Sequence, residues 1–431
     1  MPLVPSLPRT RLSYVWSRLR RRIWFRMGLI SLAALLLVGL SALASRYVAF
    51  DVAIDVGQDA VGTILEIIAS SMLAVTTFSL TAMVTAYGSA TQLGTPRATQ
   101  LLIGDTTSQN ALSTFLGAFV FSVVGIIGLQ TQIYGEQGRI VLFAGTVLLL
   151  VIVVATLLRW IAHLMTFGRM SDVIDRVEDA AGDGMRAYAA DPLGGALPAI
   201  PVPPGARPVF LRETGYVGHV DLKELKRISR KQGIPIHVAV RPGALVHPNR
   251  AVVFVEGPLD EDEASRLRGA FSIERHRSFD HDPRLGLVAL SEIGSRALAP
   301  ATNDPGTAIE VMNAMLRVLL LLPDDAAPRR DDPDGDDDGA ARVHLPLLCA
   351  DDLLEDAFAP LIREGGKEAE VAIRMTKTLA AIRDGVPHAA HRAGEMADAL
   401  ARNVREGGAP AFEQARFARA HAALWPVPSE E

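Results

Sequence analysis

The stretch "VGTILEIIASSMLAVTTFSLTAMVTAYGS", residues 61–89, carries one charged residue, Glu66. About 20 apolar residues in an α-helix cross roughly 30 Å of hydrocarbon, because the helix satisfies every backbone polar group within its own segment. This run meets that condition over residues 60–87, and so do residues 27–48, 111–131 and 139–167. Four crossings are therefore expected, the second of them long enough to tilt or project.

On that second crossing, Gly62, Glu66, Ser70, Ala74, Thr77, Thr81, Thr85 and Gly88 recur at steps of three and four and share one helical face. Two readings fit. Small and hydroxylated residues let helices approach closely and bond across their interface. Alternatively, Glu66, Ser70, Thr77, Thr81 and Thr85 line a polar path through an oligomer or between helices, with Glu66 as its ionisable member. Both place the stripe against protein or water. A third, plain alternative is that Glu66, near the helix end, reaches headgroups. No selectivity-filter sequence and no pair of broken helices accompanies the stripe.

Orientation follows from the arginines, since short flanks rich in Lys and Arg stay in the cytoplasm. Arg9, Arg11, Arg18, Arg20, Arg21, Arg22 and Arg26 precede the first crossing with no acidic residue among them, while Asp51, Asp55 and Asp59 follow it. The N-terminus is expected inside, and four crossings bring the chain back to the same side. Trp16, Trp24 and Trp160 suit an aromatic belt there. Ala42-Leu43-Ala44 also resembles a signal-peptidase site, but the long basic arm and the full spanning length favour a retained anchor. The basic arm could also lie on anionic lipid.

The 431-residue composition, 49% hydrophobic, is split: residues 27–166 are apolar, whereas 167–431 hold most of the charges. The formal net charge of −5 gives no argument for a nucleic-acid partner. Cys349 is the sole cysteine, which excludes an intrachain disulfide and a cysteine-based metal cluster within one chain.

Beyond the crossings, "MSDVIDRVEDAAGDGMRAYAA" is expected to continue the fourth helix into water, and Pro-rich residues up to 206 to end it. Strands are expected in "VFLRETGYVGHVD" and "IPIHVAVRPGALVHPNRAVVFVEG", with the basic helix "LKELKRISRKQG" between them, closed by Gly233. The organisation is then a basic arm (1–26), a four-helix transmembrane domain (27–166), a helical extension and linker (167–206), a cytoplasmic α/β domain with a helical hairpin (207–322), an acidic disordered linker (323–342) and a C-terminal helical segment (343–431). In that last segment His388, His391 and His421 read as surface histidines, because no carboxylate completes a ligand set.

The hairpin is read from "LAPATNDPGTAIE", residues 298–310. Asp304 can cap the second helix with Pro305 at its first position, where a missing N–H costs nothing, and Thr307 supports the first turn. Asn303, Asp304, Pro305 and Thr307 thus form a structural joint, and the two apolar helices are expected to bury each other and the sheet.

The run "DHDPRLGLVALSEIGSRALAPATNDPGTAIEVM" resembles the signature of the bacterial membrane proteins grouped as the domain of unknown function 2254 family. The likeness is carried by Asp282-Pro283, Gly286-Leu287, Arg296-Ala297-Leu298, Pro300, Asn303-Asp304-Pro305 and Thr307-Ala308. It extends over roughly residues 10–322. Ala299 and Ala301-Thr302 stand where that family more often has Ser and Gly-Ile. The resemblance implies a multi-pass protein of the bacterial inner membrane and supplies neither an activity nor catalytic residues.

No phosphate-binding loop, dinucleotide turn, zinc-protease motif or nucleophile elbow is present, so no enzyme, cofactor or metal site is assigned. Two functions remain. One is an oligomeric ion or solute pore, or transport component, with a cytoplasmic regulatory domain. The other is a non-conducting scaffold or sensor whose cytoplasmic domain binds a protein partner or small ligand. Membrane lipid and further copies of the chain are the expected partners.

Overall fold

A computed structural model describes residues 58–131, 136–323 and 341–426, with isolated positions between 28 and 39. The basic arm, most of the first expected crossing and residues 324–340 of the acidic run lie outside the described residues. The described residues fall into two compact units. One takes residues up to 92 together with 99–172; the other takes 93–98 and the chain from 173 onward.

The first unit is built mainly from α1 (Gln58–Leu93), α3 (Thr106–Gln130) and α4 (Glu136–Leu164), while α2 (Pro96–Ile103) has residues in both units. Three segments are long and apolar enough to cross a membrane: Ala60–Thr91, Thr106–Gln130 and Gly138–Leu164. With 36 residues, α1 is about 54 Å long at 1.5 Å per residue, well beyond the hydrocarbon thickness. Of the three apolar windows, that of α3 is the most enclosed, 56% buried against 28% and 17%. Small residues bring this about. A Cβ on Gly125 would stand 3.1 Å from Leu65 and 3.7 Å from Leu142, so α1 and α4 both close on α3 there. Val61, Leu65, Phe121, Leu129 and Leu142 form one core cluster, and Ile68, Met72, Ala111, Phe115, Ala118, Val153 and Trp160 form a second.

The link between the second and third crossings is helical at both ends. Thr95 Oγ1 accepts the Ala98 N–H at the start of α2, with Pro96 in its first turn. Asp105 caps α3 by accepting the Ser108 N–H at 2.7 Å.

One expectation is corrected at the end of α4. Gly168, at φ +78°, breaks the chain out of the helix where an added Cβ would stand 3.1 Å from the Ala86 Cβ, and α5 (Met170–Ala190) starts as a separate element. Left-handed backbone is a regular helix terminator and glycine adopts it without a Cβ penalty. A continuous fourth helix is therefore excluded.

In the second unit, five strands form a sheet in the order β1 (Leu197–Pro198), β8 (Val343–Leu345), β4 (Ile236–Val238), β6 (Ala251–Val255), β2 (Arg207–Phe210). A second sheet has the order β5 (Leu245–Val246), β3 (Gly215–Val220), β7 (Phe271–Glu274). The two strands expected in "VFLRETGYVGHVD" do not pair with each other: β2 runs antiparallel to β6 and β3 to β5 and β7. Helices α6 (Leu222–Gln232) and α7 (Glu261–Gly269) supply Leu225, Ile228 and Leu267 to the core with the valines of both sheets. Asp221 caps α6 and Gly233, at φ +66°, ends it.

Strand β8 comes from the segment expected to be helical only, and it lies parallel to both β1 and β4. Parallel neighbours can be far apart in sequence, so no local turn signal announces such a strand.

The hairpin helices are α8 (Pro283–Ala297) and α9 (Pro305–Leu319). They bury each other, but the cluster between the sheets takes no residue from either, which corrects the expected packing on the sheet. Their partners are helices: α5, α10 (Ala350–Gly365) and α11 (Ala369–Gly385), with α12 (Ala390–Glu406) and α13 (Ala411–Leu424) beyond. Glycines set the approach. A Cβ on Gly286 would fall 2.3 Å from the Ala181 Cβ of α5, and one on Gly294 would fall 2.7 Å from Leu361 of α10 and 3.3 Å from Val311 of α9. Arg284 ties α8 to α10 through Asp352 and Asp356, each at 2.7 Å.

Candidate functional site

The stripe of α1 is assembled by helical periodicity, and all five of its singled-out members, Glu66, Ser70, Thr77, Thr81 and Thr85, are exposed on the unit. The face of α1 that packs on α3 and α4 is instead mostly apolar, with Val61, Leu65, Ile68, Met72 and Met83 buried and Ser79 buried among them. Flanking the stripe, Ile67, Leu73, Phe78, Leu80 and Val84 are also exposed. The stripe thus lies within a greasy outer surface rather than at a helix contact inside the unit.

Its hydroxyls are satisfied locally. Thr77 donates to the Leu73 carbonyl at 2.7 Å, Thr81 to Thr77 at 3.0 Å, Thr85 to Thr81 at 3.0 Å, and Ser70 to Ile67 at 3.2 Å. A hydroxyl that bonds back four residues hides its donor, and its oxygen keeps acceptor capacity. Chemically, the stripe offers a narrow hydroxyl surface with a carboxylate at one end.

The joint between α8 and α9 is exposed at Thr302, Asn303 and Asp304. Asn303 takes φ +48°, a left-handed value that asparagine tolerates better than most side chains, and its N–H reaches the Ala299 carbonyl at 2.9 Å. Asp304 accepts the Thr307 N–H at 3.1 Å and the Thr307 hydroxyl at 2.7 Å, with Pro305 at the first helical position. The Thr307 hydroxyl, helped by its N–H, holds the Asp304 carboxyl below the usual carboxylate value. These contacts describe a folding joint.

A matching Asp-Pro start opens α8, yet Asp282 makes no cap bond. Its buried carboxylate is gripped by Arg277 at 2.6 and 3.0 Å. Gly243, at φ +90°, comes so close that a Cβ would meet the Asp282 carboxylate at 2.3 Å. Beside it the His219 and His281 rings stand 5.0 Å apart, and burial pushes the His219 imidazole below its ordinary value. In the fold, Asp282 is committed to Arg277. Of the C-terminal histidines, His388 and His391 are exposed, whereas His421 bonds the Thr376 hydroxyl at 3.0 Å and stacks on Phe417 and Trp425.

One pair escaped the sequence reading. Nothing in the sequence marks His163 as a partner of Asp105, 58 residues away; the fold brings His163 Nε2 to 3.0 Å from Asp105 Oδ2. A histidine in the last turn of a crossing was the only available signal.

The family described as "Predicted membrane protein (DUF2254)" matches residues 20–381 of this chain. Uncharacterized proteins of Mycobacterium bovis and Mycobacterium tuberculosis are each 27% identical to it over 297 residues, which cover 66% of this chain and 56% of the relative. The match thus spans little more than half the length of those relatives. No solved structure matches the chain.

Proposed function

The chain belongs to the DUF2254 family of predicted membrane proteins, and from that premise we propose an oligomeric inner-membrane pore or transport component. In this reading both termini are cytoplasmic, copies of the chain meet along the α1 stripe, and the stripe lines a polar path between them. The second unit acts as a regulatory domain, and the chain works without a catalytic centre or cofactor. The observation that carries the proposal is the position of Glu66, Ser70, Thr77, Thr81 and Thr85: a polar face turned away from the unit's own core. A hydroxylated face in contact with acyl chains gains nothing from them, whereas facing copies would enclose it.

The second reading is a non-conducting scaffold or sensor. It is favoured by the back-bonded threonine hydroxyls, which need no water or ion to satisfy them.

Flux measured with the purified full chain in lipid vesicles separates the two. Under voltage, membrane tension or an ion gradient, the pore reading expects flux in the wild type and its loss in Thr77→Leu/Thr81→Leu at unchanged protein content. Wild-type vesicles that never conduct, with the double variant reducing cross-linked oligomer instead, would replace the pore with the scaffold.

A further inference from the structure

Asp105 and His163 take no part in the stripe or the joint. Asp105 is 7% exposed, and its Oδ2 accepts the Ser108 N–H at 2.7 Å and the Ser108 hydroxyl at 2.5 Å while meeting His163 Nε2 at 3.0 Å. An oxygen already taking two donors at a helix N-terminus is an acceptor, so Nε2 of His163 carries the hydrogen and donates it. That leaves Nδ1 as the basic nitrogen. His163 keeps 15% of its side chain exposed, enough for water to reach it, while Trp160 and Phe167 stand 5.7 and 5.0 Å from its ring.

A second observation sits one turn along each helix. Gln109 and Trp160 are both 2% exposed, and Gln109 Oε1 and Trp160 Nε1 have no hydrogen-bond partner among the described residues. Polar atoms buried this deeply are rarely left unpaired in a purely structural packing. The seam between α3 and α4 is therefore polar for two turns at this end.

Other titratable or charged groups lie on the elements that meet here. From α1, Tyr87 donates to the Leu102 carbonyl at 3.2 Å and its ring lies 5.9 Å from Phe167; Asp172 accepts the Gly168 N–H at 3.1 Å; Arg159 and Arg169 are exposed. Among the described residues, Asp105 is the charged group bonded to His163.

We propose that Asp105 and His163 form a proton-binding site at one end of the membrane unit. A proton from water binds Nδ1, the imidazole becomes an imidazolium, and the adjoining carboxylate balances its charge. The hydrogen bond becomes an ion pair, which clamps the start of α3 to the end of α4. This inference does not rest on flux, so it stands or falls separately from the pore reading.

The test uses the full chain in lipid nanodiscs with Trp16, Trp24 and Trp425 replaced by Phe, so that emission reports Trp160. Lowering the pH from about 8 to about 5, the range in which histidine titrates, should quench Trp160 as the neighbouring imidazolium forms. His163→Gln should abolish that change. Hydrogen exchange at the amides of residues 106–109, corrected for intrinsic rate, should slow in the same interval, and this slowing should vanish in Asp105→Asn. A cap with only a structural role would weaken the first turn equally at every pH. Where a variant does not fold, histidine-labelled wild-type protein carries the test by NMR of ring tautomer and charge. Trp160 emission and an assigned His163 ring signal that both stay constant across the interval would overturn the proposal, whatever the exposed histidines do.

Discussion

Helices α1 and α8 both repeat small residues at three- and four-residue steps, and the fold uses them in opposite ways. On α8, Gly286, Gly294 and Ala297 are buried, and two of these glycines admit side chains of α5, α9 and α10 to within contact distance. On α1, Gly88, Thr77, Thr81 and Thr85 are exposed, and at Gly62 and Gly88 an added Cβ would meet nothing within 4 Å. Smallness alone therefore does not mark a packing face. What separates the two helices is company: α8 is surrounded by apolar helices on several sides, while α1 packs one side against α3 and α4 and leaves the stripe and its apolar flanks exposed.

The sharpest way to break this contrast is Gly286→Val. Its Cβ would fall 2.3 Å from the Ala181 Cβ, and neither backbone can yield without opening α8 from α5. A loss of about 3 kcal/mol is expected from such overpacking, measured by chemical or thermal unfolding of the purified chain. An unchanged midpoint would mean that α8 is not gripped as described.

A smaller effect is expected at the corner, which is exposed although it begins a buried helix. Asp304→Ala removes a cap and should cost about 1 kcal/mol at neutral pH. Because the Asp304 carboxyl is held low in the fold, its contribution is present above the unfolded carboxylate value and is lost as pH falls through the folded one. The difference between wild type and variant should therefore close below about pH 4. Unfolding curves of the two proteins across that interval check it.

The smallest effect belongs to the stripe. Thr81→Val changes an exposed side chain whose hydroxyl bonds its own helix, so stability of the single chain should move by no more than about 0.5 kcal/mol. A loss several times larger in dilute detergent would show that the stripe is packed within one copy, erasing the contrast with α8.

The sequence made much of this legible. Apolar runs of spanning length gave three of the described helices their place, and Asp304 starts α9 and Gly233 ends α6 where their chemistry puts them. Other features were not legible, for physical reasons. Gly168 could have sat inside a helix, and only its left-handed backbone separates α4 from α5. Asp282 and Asp304 read alike before proline, yet one caps its helix and the other is taken by Arg277. The short strand β8 carries no signal for its two parallel neighbours.

By itself, the sequence determined that the chain carries helices long and apolar enough to cross a membrane, because a helix satisfies its own backbone along such a run, and that α9 starts and α6 ends where local hydrogen bonding demands. The tertiary structure alone decided which face of α1 is covered, which helices enclose α8, and that Asp105 meets His163. Those outcomes depend on competition among distant partners for the same surface, a quantity that no local stretch of residues contains.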